Sequence, residues 1–195
     1  MSPVQAMERS YSALKQMLRE GRFAPGARLE ANRIADELGV SMTPVRDVLH
    51  RLVGERLVAA STGEGFYVPR FTEAGLRDLY EWHSTLTLLA VRTACRAPEP
   101  IAESPDASDR SQADRTARLF EAIAATAPNR EIGTAIANAG DRLHSFRLLE
   151  AAVLEPMLGE LDVLSIFDAS LPSAVRRYHL RRMKAAPGLV ARRGI

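Results

Sequence analysis

Apolar and polar positions divide this chain into two parts with different patterns. In the first seventy residues, apolar side chains at steps of three and four predict three short helices. Two strand-like runs follow, and Ser61-Thr-Gly-Glu64 joins them as a turn. The helices are expected near residues 4–18, 32–38 and 44–55, and the strands near 57–60 and 65–69. Three helices followed by a hairpin predict a winged helix-turn-helix.

Beyond Arg70 the pattern indicates helices only. Thr72 is placed to cap a long helix, along which an apolar stripe also contains a histidine. The stripe consists of Leu76, Leu79, Tyr80, His83, Leu86 and Ala90. Further helices are predicted at 113–127, 132–153, 156–167 and 173–184, with a polar loop at 103–111. The fold class is therefore mainly α, with an N-terminal winged helix-turn-helix at 1–70 followed by an all-α helical bundle at 71–195.

The third helix has the polarity of a DNA-recognition helix. Thr43 is predicted to cap it, and Pro44 to be its first residue, where a proline loses no helical hydrogen bond. One side carries apolar residues and the other carries polar ones. The apolar side consists of Val45, Val48, Leu49 and Leu52, and the polar side of Thr43, Arg46, Asp47 and His50. The first side can dock on a small domain, and the second can enter a major groove.

Arg46 is the main candidate for contact with DNA. It can donate to a guanine edge or to a phosphate, whereas outside such a motif it would be a solvated surface arginine. Ser41 and Thr43 can donate to phosphates beside the helix N-terminus. His50 and Arg51 lie further along, where Arg51 is expected to meet the DNA backbone or pair with an acid. In the hairpin, Gly63 and Gly65 serve either as turn residues or for close approach to DNA.

Composition limits the classes of protein and the way it could bind DNA. Apolar residues make up 46% of the chain and charged ones 26%, which is ordinary for a globular protein. No stretch resembles a signal peptide or a membrane span, and the single Cys95 suits a reducing cytoplasm. Residues 1–75 carry ten basic and nine acidic side chains. DNA affinity therefore requires specifically placed contacts, and we expect a dimer to provide enough of them.

The first part of the chain resembles the N-terminal domain of GntR-family bacterial transcription regulators. The resemblance is carried by Gly21-Arg-Phe-Ala-Pro-Gly26, Leu29, Ile34-Ala-Asp-Glu-Leu-Gly-Val-Ser41, Thr43-Pro-Val-Arg46 and Gly65-Phe-Tyr-Val68. It implies that the third helix and the hairpin contact duplex DNA. Met42 and Asn32 occupy positions that are often arginine in the family. Met42 and Asn32 cannot make the phosphate contacts of those arginines, and Arg33 can supply one of them.

The second part resembles the helical, FCD-type effector domain of the FadR-like subgroup. Such domains dimerise and change DNA affinity when a small carboxylate binds near a divalent metal. The resemblance implies Asp141 and His144 as metal ligands, for an ion such as Zn, Ni or Mn. The residues alone favour a surface ion pair over a metal site. The two lie three apart rather than four, and the family's arginine and glutamate appear as His83 and Thr87. We expect the domain to be incomplete.

These patterns predict a cytoplasmic transcription regulator, not an enzyme, that binds a palindromic operator as a homodimer and senses a small carboxylate. One alternative is a constitutive DNA binder or remnant that has lost effector and metal binding. Another is a small-ligand hydrolase using His83, Asp141 and His144, for which no nucleophile motif is present. The basic run 176–184 attracts nucleic acid or is a solvated helix face that would leave Tyr178 exposed.

Overall fold

The computed structural model describes residues 3–61, 65–94, 111–155 and 159–194. The chain forms two compact units, one of residues 1–71 with 193–195 and the other of residues 72–192. Each unit has its own apolar core. Within the described residues, no helix combines the length and the apolar character needed to cross a membrane.

The first unit has the three predicted helices, and its antiparallel sheet has three strands rather than the two of the predicted hairpin. Its elements are α1 (Pro3–Arg19), β1 (Arg28–Leu29), α2 (Ala31–Leu38), α3 (Met42–Gly54), β2 (Ala59–Ser61) and β3 (Gly65–Tyr67). The strand order is β1-β3-β2, so β3 is central. The hairpin starts at Ala59 rather than at Leu57. Leu57 and Val58 are buried, and their N–H groups donate to the carbonyl of Leu52 instead of to a strand.

Helix α3 begins earlier than the sequence predicts. Ser41 is the N-cap residue, and α3 starts at Met42, so the prediction that Thr43 caps a helix starting at Pro44 is wrong. Pro44 is instead the third helical residue. It fits there because the N–H groups of a first helical turn have no carbonyl partner within the helix. As predicted, Gly39 ends the preceding helix; its φ of +64° is a conformation that glycine adopts without strain.

The second unit is a bundle of helices whose bounds differ in part from the predicted ones. Its elements are α4 (Glu73–Thr93), α5 (Gln112–Ala124), α6 (Arg130–Arg147), a 3-10 helix (Glu150–Ala152), α7 (Glu160–Ser165) and α8 (Leu171–Arg193). The cap of α4 is as predicted, since Thr72 Oγ1 accepts from the Gly75 N–H at 3.0 Å. The helix predicted at 132–153 is wrong beyond Arg147, where a 3-10 turn replaces it.

The last helix is longer than predicted because it continues through Pro187. A proline inside a helix has no N–H for the carbonyl four residues before it, here that of Met183. That carbonyl accepts a hydrogen bond from Arg77 Nε of α4 at 3.3 Å. A side chain of a neighbouring helix therefore replaces the missing backbone donor in the helix that carries Tyr178, His179 and Arg182.

Candidate functional site

Helix α3 separates a buried apolar side from an exposed polar one, as the sequence predicts. Val45, Val48, Leu49 and Leu52 are at most 1% exposed and form the centre of the first unit's core. The polar residues Thr43, Arg46, Asp47 and His50 are all exposed. The core contacts fix the orientation of the helix, so the polar side presents a rigid surface to a partner.

The candidate contact residues at the start of α3 are accessible. Ser41, Met42 and Thr43 are exposed, and Met42 is 42% exposed even though it is apolar. Within the described residues, Arg46 makes no hydrogen bond or ion pair, so its guanidinium can be used for an external acceptor. The exposed helix N-terminus adds free N–H groups on the same side.

Two of the predicted contact arginines have intramolecular partners. Arg33 Nε lies 2.7 Å from the Glu30 carboxylate. Arg51 Nη1 donates to Glu8 at 3.0 Å, and its guanidinium lies 3.6 Å from the ring centre of Tyr11. Of the two roles considered for Arg51, pairing with an acid is therefore the one present, and it attaches α3 to α1.

The predicted residues of the hairpin, or wing, have different surroundings. The ring of His50 packs edge to face on the ring of Phe66 in β3, with 4.9 Å between the ring centres. This contact joins α3 to the wing. Gly65 has a φ of +106°, so a side chain there would be strained. A Cβ atom at Gly65 would lie 3.5 Å from Arg28 Nε, which places an exposed arginine beside the wing. Gly63 lies outside the described residues.

The helical unit contains a buried ion-pair cluster centred on Arg182 of α8. Arg182 is 1% exposed and donates to Glu150 at 3.1 and 2.8 Å and to Glu160 twice at 2.8 Å. Its guanidinium lies 3.4 Å from the ring centre of Tyr178. Burial alone would lower the pKa of Arg182, but Tyr178 and the two carboxylates outweigh burial and raise it. Tyr178 itself is 1% exposed, so the alternative that leaves it on a solvated helix face is wrong for this residue, whereas the nearby Leu180 is exposed.

A chain of hydrogen bonds runs through two buried histidines. His179 Nδ1 lies 2.7 Å from the Val175 carbonyl, and His179 Nε2 lies 2.7 Å from His83 Nδ1. A carbonyl only accepts, so the Nδ1 atom of His179 carries hydrogen and its Nε2 accepts from His83. Burial is the main cause that lowers the pKa of both rings, that of His179 to about 3. Both imidazoles are therefore neutral, and the lone pair of His83 Nε2 can accept a hydrogen bond.

Arg147 of α6 closes this chain on the other side of His83. It is 3% exposed, and its Nη2 lies 3.5 Å from His83 Nε2. The Nε and Nη1 atoms of Arg147 are buried without a hydrogen-bond partner among the described residues. The guanidinium also lies 5.4 Å from the ring centre of Phe120. The unit thus contains a buried cation next to neutral histidines.

The predicted metal ligands are not brought together with these histidines. His144 is 2% exposed, and its Nε2 lies 3.5 Å from the Asp114 carboxylate of α5. Asp141 is half-buried on the same helix. No group of three or more His, Cys, Asp or Glu in the described residues is arranged to hold a metal ion. The residues present therefore do not fit the metal that the resemblance implies.

Residues 6–68 match the family described as bacterial regulatory proteins, gntR family. The similarity to this family therefore lies in the winged domain. The regulator McbR of Escherichia coli is 34% identical over 101 residues, 51% of this chain and 46% of McbR. The Nta operon regulator of Aminobacter aminovorans is 38% identical over 74 residues, 38% of this chain and 35% of that protein. The aligned part thus spans less than half of these curated relatives.

Two solved structures share the fold over nearly the whole chain. A Rhodococcus sp. RHA1 protein described as a transcriptional regulator GntR has a TM-score of 0.65 at 21% identity, covering 96% of each chain. McbR/YncC of E. coli has a TM-score of 0.60 at 21% identity, covering 97% of this chain and 99% of its own. The helical unit therefore has the fold of the helical part of GntR-family proteins. These relatives are transcription regulators and not enzymes.

The sequence patterns do not predict the charged residues of the helical core. Arg147, Glu150 and Arg182 were not among the candidates, because isolated charged residues are usually solvated. A signal was present for Arg182, which lies four residues after Tyr178 and four before Ala186 on one face of α8. A charge at a core position of an otherwise apolar stripe indicates a buried pair.

Proposed function

We propose that this chain binds a palindromic DNA operator as a homodimer in the cytoplasm, and that a small carboxylate held in the helical unit changes the affinity for DNA. Helix α3 would enter the major groove, and the wing would lie along the flanking backbone or minor groove. The observation that carries the proposal is the exposed polar side of α3 with Arg46 accessible at its start. The family of the winged domain supports the same function.

The charge of the winged domain supports a dimer. Residues 1–75 have only one more basic than acidic side chain, so a single copy attracts the phosphate backbone weakly. Two copies double the specific contacts and read two half-sites, about 34 Å or a multiple of it apart. On α4, Trp82, Thr85 and Leu89 follow one another at helical spacing, and Trp82 is 51% exposed. A large aromatic on an outer helix face suits contact with a second copy.

Replacing Arg46 by alanine tests the DNA contact. We expect operator binding to weaken by about 1–3 kcal/mol, because the side chain would no longer donate to a base or phosphate. The operator is first isolated from genomic fragments with the wild-type protein, and affinity is then measured by fluorescence anisotropy at several salt concentrations. If Arg46→Ala lowers the affinity for the operator alone, Arg46 contacts a base. If it lowers the affinity for random DNA equally, Arg46 contacts a phosphate.

Arg118→Ala is the matched control for that experiment. Arg118 is an exposed arginine of α5, and it has no bonding partner within the described part of the chain. Its loss removes the same charge from the other unit and should leave operator affinity unchanged. If Arg46→Ala and Arg118→Ala bind the operator equally well, the assignment of α3 as the recognition helix is wrong.

Replacing Trp82 by alanine tests the dimer interface. We expect the dimer to weaken by roughly 2 kcal/mol or more, since a buried interface tryptophan often dominates the binding energy. Sedimentation equilibrium over a range of concentrations measures the change. Leu180→Ala, which removes another exposed apolar side chain (50% exposed), serves as the control. A wild-type chain that stays monomeric would contradict the dimer, and an unchanged dimer in Trp82→Ala would place its interface elsewhere.

A further inference from the structure

Arg147 holds a positive charge in the helical core without a compensating carboxylate among the described residues. It makes no ion pair there, and two of its three nitrogen atoms have no partner. The third lies 3.5 Å from His83 Nε2, at the limit of a hydrogen bond. A guanidinium remains charged even when it is buried. Because an isolated buried ion is strongly unfavourable, this arrangement favours binding of an anion.

The acids of the cluster are already engaged by another cation. Glu150 accepts from both Arg182 and Tyr80, and Glu160 accepts from Arg182. The charges of Glu150 and Glu160 could in sum neutralise those of Arg147 and Arg182. Both carboxylates, however, bind the guanidinium of Arg182. The two histidines are neutral because burial lowers the pKa of each. The positive charge of Arg147 is therefore not neutralised by these groups, and an anionic ligand could neutralise it.

The helix backbone beside Arg147 carries no side chain at Gly140. Gly140 lies on α6, and a Cβ atom there would be 3.8 Å from both Arg147 Nη1 and His83 Nε2. The missing side chain leaves these two nitrogen atoms facing bare backbone. Tyr178 packs on the same Phe120 ring, at 5.1 Å between ring centres, and its hydroxyl is buried without a partner in the described residues. Its hydroxyl is a second unpaired donor, on a side chain that contacts the same ring as Arg147.

We propose that the helical unit binds a small carboxylate directly at Arg147, with no metal ion. The free N–H groups of Arg147 donate to the carboxylate oxygens, as guanidinium groups do in paired geometry. His83 is a positioning residue, since its fixed tautomer accepts from Arg147 and holds the guanidinium plane. A divalent ion on His83 Nε2 would lie close to the guanidinium charge and be repelled. The inference rests on the effector part of the proposed function and names its site.

The test uses the full chain after treatment with a chelator, and formate, acetate and succinate as probes. Calorimetric titration with chelator present should detect binding of at least one probe. Arg147→Met should weaken that binding about tenfold or more, and the matched surface variant Arg118→Met should not. In carboxylate-free buffer, Arg147→Met should melt no lower than the wild type, because it removes an uncompensated buried charge. An arginine with only a structural role would give a lower melting temperature.

Gly140→Ala provides a variant that keeps every charged group. Its Cβ would lie at ordinary contact distance, and alanine favours a helix more than glycine does, so the melting temperature should stay or rise. The added methyl group covers the nitrogen atoms of Arg147 and His83, so the probe that binds the wild type should bind this variant more weakly. Unchanged affinity in Gly140→Ala would count against the site.

Two results would overturn the proposal. One is that no probe binds the chelated wild type; the other is that binding appears only with added zinc, nickel or manganese and persists in Arg147→Met. Operator affinity measured on the same samples separates this inference from the proposed function. If a probe binds at Arg147 but operator affinity does not change, the site stands and the effector role fails. A failed Arg46→Ala experiment removes the DNA assignment and leaves the Arg147 result unaffected.

Discussion

Replacing Arg182 by methionine is expected to lower the free energy of unfolding of the helical unit by about 3–5 kcal/mol. The change leaves Glu150 and Glu160 as neighbouring buried carboxylates that no longer share a cation. It also removes the donor to the Tyr178 carbonyl, at 3.2 Å, and the contact with the Tyr178 ring. Methionine restores most of the volume, so the loss measures charge and hydrogen bonding more than a cavity.

The measurement is urea unfolding followed by the fluorescence of Trp82, the single tryptophan of the chain, which lies in the helical unit. Lys184→Met, at an exposed position of the same helix, is the matched control and should change stability little. Adding Glu150→Gln and Glu160→Gln to Arg182→Met should recover a large part of the loss, since it removes the two uncompensated charges. A small effect of Arg182→Met alone would show that the cluster is not a major stabilising feature.

The winged unit could be predicted closely because local patterns determine most of it. Its core positions on α3 repeat at helical spacing, Gly39 ends α2, and two short strands pair antiparallel at 59–61 and 65–67. The errors are local. Sequence spacing does not distinguish Met42 from Pro44 as the start of a helix, because a proline is accepted anywhere in the first turn. The apolar residues Leu57 and Val58 fit a strand as well as a buried turn.

The polar core of the helical unit could not be predicted in the same way. Its members come from α4, α6, the 3-10 helix, α7 and α8, so their meeting depends on tertiary packing and not on spacing in one segment. His83 lies on the predicted apolar stripe of α4, but its hydrogen-bond partner His179 lies 96 residues away along the chain. The metal interpretation of Asp141 and His144 came from the resemblance. The structure instead places Arg147 beside His83. No pattern in the sequence around Arg147 indicates that this arginine is buried.

Acidification is expected to destabilise the helical unit through His83 and His179. In the unfolded chain a histidine titrates near pH 6.5, whereas in the folded protein burial lowers the pKa of His179 to about 3 and that of His83 well below its usual value. The unfolded chain therefore binds more protons below pH 6.5, and stability falls as the pH falls. The stabilising contribution of the two neutral histidines to the free energy of unfolding is complete above pH 6.5. It is lost as the pH falls from there towards about pH 3. Each histidine contributes up to ~1.4 kcal/mol per pH unit within this window.

Urea unfolding at a series of pH values, again followed by Trp82 fluorescence, measures this slope. The double variant His83→Gln with His179→Gln keeps polar side chains of similar size that do not titrate, so its stability should vary much less between pH 6.5 and pH 5. His50→Gln, the same substitution at an exposed position on α3 of the other unit, is the matched control. If the double variant keeps the slope of the wild type, other groups cause the acid sensitivity. A reduced slope would locate it in the histidine pair beside Arg147, since protonating either ring would add a charge next to an existing buried cation.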